Sequence, residues 1–121
     1  MTAEHLRRSR TELEAARLLA TSGFHAQAIS RAYYAAFWAA ESALAAVDIA
    51  RSRHSGVVAA FGTHVVLNGG VPPRHGRDLH TLFDLRNAVD YGDVQVSEEQ
   101  ALEAVDDAER LLEAVDEWLS G

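Results

Sequence analysis

The chain has 121 residues, 48% hydrophobic and 24% charged, which is typical of a single globular domain over residues 1–121. It contains no cysteine, which excludes disulfide bonds and thiolate metal sites. No apolar run approaches the ~18 residues of a transmembrane helix. The first residues lack the apolar core of a secretory signal, so we expect a cytoplasmic protein with no membrane partner.

The formal net charge of −7 is distributed unevenly. Residues 1–86 contain ten arginines and seven acidic residues, whereas residues 87–121 contain one arginine and eleven acidic residues. Every basic side chain is an arginine, whose planar guanidinium suits phosphate and carboxylate groups. The net charge therefore does not exclude an anionic ligand; it only indicates that such a ligand would bind outside the acidic C-terminal part.

Apolar residues recur at helical spacing in the first half of the chain. A first helix is predicted over about residues 3–20, and Ser22-Gly23 breaks it. A second, over about residues 24–47, contains no glycine or proline and is apolar nearly all round, so we expect it to be central or to lie at an interface. A polar connection then leads to a shorter helix over about residues 56–67.

The segment "NGGVPPRHG" contains the strongest helix breakers, so a fourth helix is predicted to begin near Arg77 or Asp78 and to end near Gly92. Ser97 and Gln100 fit a capping box at the start of the last helix. Its apolar residues alternate spacings of four and three, as in a coiled-coil seam: Ala101, Val105, Ala108, Leu112, Val115 and Leu119. No segment alternates with a period of two. We therefore predict an all-α fold, an up-and-down bundle of four to five helices.

Two groups of residues within this pattern are candidates for chemistry. The aromatic group on the second helix consists of Tyr33, Tyr34, Phe37 and Trp38. We interpret it as a core and interface cluster rather than a nucleotide-stacking platform. The central histidines are His54, His64, His75 and His80. No pair of them has the i, i+3 or i, i+4 spacing of a helical metal site, so we interpret them as solvated or loop residues and expect neither a metal nor a cofactor.

The stretch "LRNAVDYGD" places several polar residues at the end of the fourth predicted helix. Arg86 and Asp90 lie four positions apart and can pair, and such a surface pair stabilises a helix by about 0.3–0.5 kcal/mol. The pair does not account for Asn87 or Tyr91. If Arg86 and Asn87 point into a groove, they offer a guanidinium fork and an amide to a phosphate group.

The stretches "SRAYYAAFWAAESAL", "HSG" and "LRNAVDYGD", followed by an amphipathic last helix, resemble the small stand-alone HEPN domain proteins of bacteria and archaea. The resemblance implies a bundle of about five helices that usually forms a homodimer. Many HEPN proteins are metal-independent endoribonucleases or toxins. They are often encoded with a minimal nucleotidyltransferase that acts as antitoxin. The implied partners are therefore a second copy, such a nucleotidyltransferase, and RNA or a nucleotide.

HEPN active sites combine an arginine, four to six intervening residues and a histidine at a dimer cleft. In this resemblance Arg86 matches the arginine, and Asn87 matches the polar residue that commonly follows it. The positions at which a histidine would complete the motif hold Tyr91, Gly92 and Asp93. Tyrosine and aspartate do not readily transfer protons near neutral pH. Arg74 and His80 have the required spacing, but we attribute this to chance because a helix is predicted to begin between them.

Three interpretations remain open: a ribonuclease with altered chemistry, a catalytically silent domain that binds RNA, a nucleotide or a nucleotidyltransferase, and a structural dimerisation module. The missing histidine favours the second. A group of five arginines favours an anionic partner over the third: Arg51, Arg53, Arg74, Arg77 and Arg86. In the favoured interpretation Arg86 and Asn87 bind an anion at a dimer cleft, Asp90 holds the arginine and Tyr91 closes the cleft. Arg86→Ala is then expected to leave the fold nearly intact.

Overall fold

The computed structural model describes residues 2–50, 53–92 and 94–121, and within these ranges it contains five α-helices, one π-helical segment and no strand. The elements are α1 Thr2–Thr21, α2 His25–Ala46, α3 His54–Phe61, the π-helical segment Gly62–Val66, α4 Pro73–Tyr91 and α5 Glu98–Ser120. The predicted all-α fold is confirmed. None of these helices combines the length and the apolar character needed to cross a bilayer.

Helix α2 is the central element and packs against each of the other helices and the π-helical segment. Twelve of its residues are buried, most of them alanines that allow close approach of the neighbouring helices. The expectation that this helix is central is confirmed. Its apolar circumference is covered by α1, α4 and α5 of the same chain, so the apolar character of α2 does not by itself require a second copy.

Helix α5 begins with the predicted capping box. The Ser97 hydroxyl accepts from the Gln100 backbone N–H at 3.1 Å, and the Gln100 side chain accepts from the Ser97 backbone N–H at 2.9 Å. Five residues of the predicted seam are buried: Ala101, Val105, Ala108, Leu112 and Val115. This seam is covered within the chain, since α5 packs on α2, α1 and α4. This stripe of apolar residues is therefore a packing face, and helices of the same chain cover it.

Helix α4 begins at Pro73, four residues before the predicted start. Proline suits the first turn because its missing N–H would have had no intrahelical partner there. The expectation that a helix begins between Arg74 and His80 is therefore wrong. Arg74, His75 and His80 all lie within α4, where His75 is buried and the other two are exposed. Arg74 and His80 are six positions apart and lie on different faces of the helix.

The end of α4 at Tyr91 agrees with the prediction, and Gly92 does not adopt the left-handed conformation that is common just after a helix. Its backbone is extended, with φ −128° and ψ 173°. A Cβ atom at this position would lie 2.7 Å from the backbone oxygen of Ala88. Glycine therefore permits the chain to leave the helix close to its last turn.

Candidate functional site

Arg86 lies on the face of α4 that packs against α2, and its residue surface is only 9% exposed. The guanidinium carbon lies 5.0 Å from the ring centroid of Tyr33 and 5.8 Å from that of Phe83. Such contacts stabilise a cation most strongly when water is excluded. Nη1 of Arg86 lies 3.7 Å from Oδ2 of Asp90, so the predicted pairing is present. The expectation that it is a surface pair is wrong for the arginine.

His54, the first residue of α3, brings an imidazole to Arg86. Its Nδ1 lies 3.4 Å from Nη2 of Arg86 and 3.0 Å from the hydroxyl of Tyr33. Its ring stacks on Phe37 with a centroid distance of 4.4 Å. The interpretation of His54 as a solvated or loop residue is therefore wrong. We refer to Tyr33, His54, Arg86 and Asp90 as the Arg86 cluster.

The surroundings of the Arg86 cluster fix the charge states of two of its members. Burial, and then the positive charge of Arg86, lower the pKa of His54. Burial raises the pKa of the Tyr33 phenol far above its ordinary value. At neutral pH the cluster therefore combines a neutral imidazole, a protonated phenol and a guanidinium.

The structure brings only part of the predicted site together. Asp90 lies beside Arg86, and its Oδ1 accepts a hydrogen bond from the Ser30 hydroxyl at 2.8 Å. Asn87 is half-buried, and its side chain has no hydrogen bond to any residue in the described parts of the chain. Tyr91 is 82% exposed at the end of α4. Asp93 lies outside the described residues.

The positive charge of Arg86 is only partly compensated. Its Nε is buried and has no hydrogen-bond partner among the residues that the structure describes. The carboxylate of Asp90 lies 3.7 Å from Nη1, beyond ordinary hydrogen-bond distance. A buried donor without a partner is uncommon and costs free energy. The cluster is therefore an electropositive feature in a chain whose overall charge is negative.

An open groove of about 460 Å³ runs beside the Arg86 cluster, between α3 with its π-helical segment and α4. Phe83 lines this groove and also contacts Arg86, so the groove adjoins the cluster. Arg77 and His80 are polar residues of its wall. Arg53 and Arg77 are exposed and have no ion pair within the parts of the chain that the structure describes. Arg51 lies outside those parts.

Other arginines are already paired. Arg10 contacts Asp116 at 2.8 Å and Arg17 contacts Glu109 at 3.0 Å, so both join α1 to α5. Arg53 and Arg77 are thus among the exposed arginines that have no ion pair in the described parts of the chain. In residues 2–50, 53–92 and 94–121, no group of three or more histidine, aspartate and glutamate side chains is arranged to hold a metal ion.

Sequence reasoning missed His54 and the contact role of Tyr33. Tyr33 was assigned to the core, which its complete burial confirms, but its hydroxyl also reaches the imidazole. The available signal was the "HSG" segment, which formed part of the family resemblance without being assigned a role. A contact between residues 54 and 86 depends on how α3 packs against α4, and residue spacing alone does not reveal it.

Comparison with known proteins agrees with the fold. A family model described as HEPN domain matches residues 2–118. The chain is 35% identical over 114 residues to a UPF0332 protein of Thermotoga maritima, covering 93% of this chain and 86% of that protein. It is 36% identical over 85 residues to a UPF0332 protein of Gloeobacter violaceus, covering 70% and 68%. A Methanocaldococcus jannaschii protein named "Putative toxin MJ0605" is 30% identical over 103 residues, covering 85% and 77%.

Proposed function

Since this chain belongs to the HEPN domain family, we propose that it binds RNA or nucleotide phosphates at the Arg86 cluster, as a component of a toxin–antitoxin type of system. The observation that carries the proposal is the buried, incompletely compensated guanidinium of Arg86. A fixed positive charge in a site sheltered from water attracts an anion more strongly than an exposed one. Exposed Arg53 and Arg77 extend this potential to the surface.

Each of the four predicted site residues has its own role in the proposed ligand site. Arg86 supplies the charge, and Asp90 limits its movement. Asn87 and Tyr91 lie on the following turn of α4, where an amide and an exposed ring are available to a nucleotide. In a homodimer, Tyr91 of each subunit is free to cover the cleft of the other.

We further propose a homodimer that associates with a minimal nucleotidyltransferase in the cytoplasm. The family resemblance supports both partners, and a relative named "Putative toxin MJ0605" supports the toxin context. Light scattering at tens of micromolar protein tests the dimer, and a monomer alone would contradict it. Copurification with the product of a neighbouring nucleotidyltransferase gene tests the second partner.

A second candidate function is metal-independent endoribonuclease activity, which one specific observation favours. His54 provides the imidazole that the sequence motif lacks, within 3.4 Å of Arg86. RNA cleavage through the 2′-hydroxyl needs a group that moves protons near neutral pH. Gel analysis of RNA incubated with the protein and EDTA tests it: cleavage that disappears in His54→Gln would establish this function, and intact RNA would leave binding as the function.

Fluorescence anisotropy with a labelled oligouridine tests the binding proposal. About three phosphate contacts would lower the affinity about 20-fold when the salt concentration rises fourfold. The double variant Arg53→Ala/Arg77→Ala should weaken binding and reduce this salt dependence. Arg10→Ala is the matched control, because Arg10 faces α5 and α1 does not contact α3 or α4 in the described parts of the chain. Absence of binding at low salt would contradict the proposal.

A further inference from the structure

His54 is held so that only one of its two ring nitrogens is available to a ligand. Phe37 stacks on the ring at 4.4 Å, and the edge of Tyr34 approaches it with a centroid distance of 5.6 Å. Nδ1 points to Tyr33 and Arg86. Nε2 has no hydrogen-bond partner, and it is not among the buried unpaired atoms of the described residues. Nε2 is therefore the nitrogen at the surface.

The neighbours of His54 determine which nitrogen carries the proton. The Arg86 guanidinium can only donate a hydrogen bond. Since a guanidinium N–H faces Nδ1 at 3.4 Å, this nitrogen is the acceptor, and the ring proton is on Nε2. The Tyr33 hydroxyl can donate or accept, and toward an acceptor nitrogen it donates. The accessible nitrogen therefore carries a hydrogen and no free lone pair.

From this geometry we infer that the Nε2–H of His54 is the donor through which the site binds a phosphate oxygen of an RNA strand or nucleotide. The inference rests on the proposed function and gives it a specific contact atom. Arg86 then acts behind the histidine as a positioning residue and as a source of positive potential. In this tautomer His54 cannot take a proton at Nε2, so this binding role and the general-base role of His54 in the second candidate function exclude each other.

Two further features support an anion at this position. The first backbone N–H groups of α3 have no partner within the helix, and a helix N-terminus favours negative charge. Arg86, about nine-tenths buried, directs Nη2 toward the same imidazole, while its buried Nε has no hydrogen-bond partner among the described residues. Asp90, the acidic side chain that contacts Arg86, already accepts a hydrogen bond from Ser30. The local charge that faces an incoming phosphate is therefore positive.

Long-range ¹H–¹⁵N NMR spectra of the wild-type protein test the tautomer directly. We expect one His54 nitrogen with the shift of an unprotonated acceptor, and the other with a bound proton whose resonance moves when oligouridine is added. A proton on Nδ1, or an Nε2 resonance unaffected by saturating oligouridine, would overturn the inference. Repeating the titration with uridine monophosphate and with inorganic phosphate distinguishes a polynucleotide from a free phosphate as the ligand.

Binding by variants provides an independent measurement. His54→Gln keeps an amide N–H near the position of Nε2, whereas His54→Phe keeps the ring stack on Phe37 but offers no donor. We expect His54→Phe to bind oligouridine about 10-fold more weakly or worse, and His54→Gln to retain most of the affinity. His64→Gln is the matched control, since His64 lies in the π-helical segment and its side chain makes no hydrogen bond in the described residues.

The outcomes separate this inference from the proposed function. If the wild-type protein binds no oligouridine at low salt, both fail. If it binds, and His54→Phe is folded and binds equally well, only the assignment of His54 fails. If His54→Phe does not fold, the wild-type NMR titration decides.

Discussion

The hydroxyl of Tyr33 lies 3.0 Å from Nδ1 of His54 and joins the centre of α2 to the first residue of α3. Tyr33 is completely buried, so its hydroxyl cannot exchange this partner for water. Buried phenols usually have a partner, and here the partner is a group that a ligand can reach from the other side. The core of the bundle therefore controls the orientation of a surface histidine.

Tyr33→Phe removes this hydrogen bond and keeps the ring. We expect a loss of about 1 kcal/mol in the free energy of unfolding, typical of one hydrogen bond. The pKa of His54 should rise, because the lost bond favours its neutral form. Thermal melts measure the first effect, and an NMR pH titration of the imidazole measures the second. An unchanged His54 pKa would show that Tyr33 does not hold the ring.

Arg86→Ala should destabilise the protein, contrary to the expectation from the sequence. The variant leaves Asp90 without its cation and removes the contact with the buried Tyr33 ring. The Asp90 side chain is 35% exposed, so the effect should be smaller than for a fully buried pair. We expect a loss of about 2–3 kcal/mol, or roughly 8–12 °C in melting temperature.

The control for this prediction is Asn87→Ala, the next residue on the same helix. Its half-buried side chain makes no hydrogen bond in the described part of the chain, so a change within about 0.5 kcal/mol is expected. Equal melting temperatures for wild-type protein and Arg86→Ala would instead indicate that the arginine is dispensable for folding and serves binding alone.

The helices could be predicted from the sequence because their signals are local. The spacing of Ala101, Val105 and Ala108 defines the buried face of α5, and the Ser97–Gln100 box defines its start. The start of α4 was misplaced because the two prolines were interpreted only as breakers. Pro73 is also compatible with a first helical turn. The local sequence does not distinguish a proline that ends a helix from one that begins it.

The candidate site was only partly predictable, because its members come from three helices. Arg86 and Asp90 share one helix face, so their pairing follows from spacing. The approach of His54 to Arg86, 32 positions along the chain, depends on tertiary packing. The family resemblance places the histidine after Arg86, whereas the imidazole beside Arg86 comes from an earlier helix.

Leu111→Ala should destabilise the bundle strongly. Leu111 is completely buried on α5, which packs against α2. Removing its side chain loses apolar burial and leaves a cavity, so we expect a loss of about 2–5 kcal/mol. Leu18→Ala is the matched control, since Leu18 is 67% exposed on α1 and should change stability by less than about 0.5 kcal/mol. Urea titrations give both values, and similar losses in the two variants would contradict the described packing of α5.

Acidification should destabilise the protein below neutral pH. Burial is the main cause that lowers the pKa values of His5, His54 and His75 from 6.5. Below pH 6.5 the unfolded chain therefore binds more protons than the folded one, and stability falls as the pH falls. Glu41 and Asp107 act in the opposite sense: burial raises their pKa values from 4.5 and 3.8, so their protonation favours the folded state as the pH falls.

Thermal melts in buffers between about pH 7.5 and pH 6 should show this decrease, and the decrease should be shallower in His54→Gln because one of the three contributing groups is gone. Arg86→Lys retains a positive charge near the imidazole and should keep most of the wild-type dependence of the melting temperature on pH. A melting temperature that rises on acidification in this range would contradict the prediction that the lowered pKa values of these histidines dominate here.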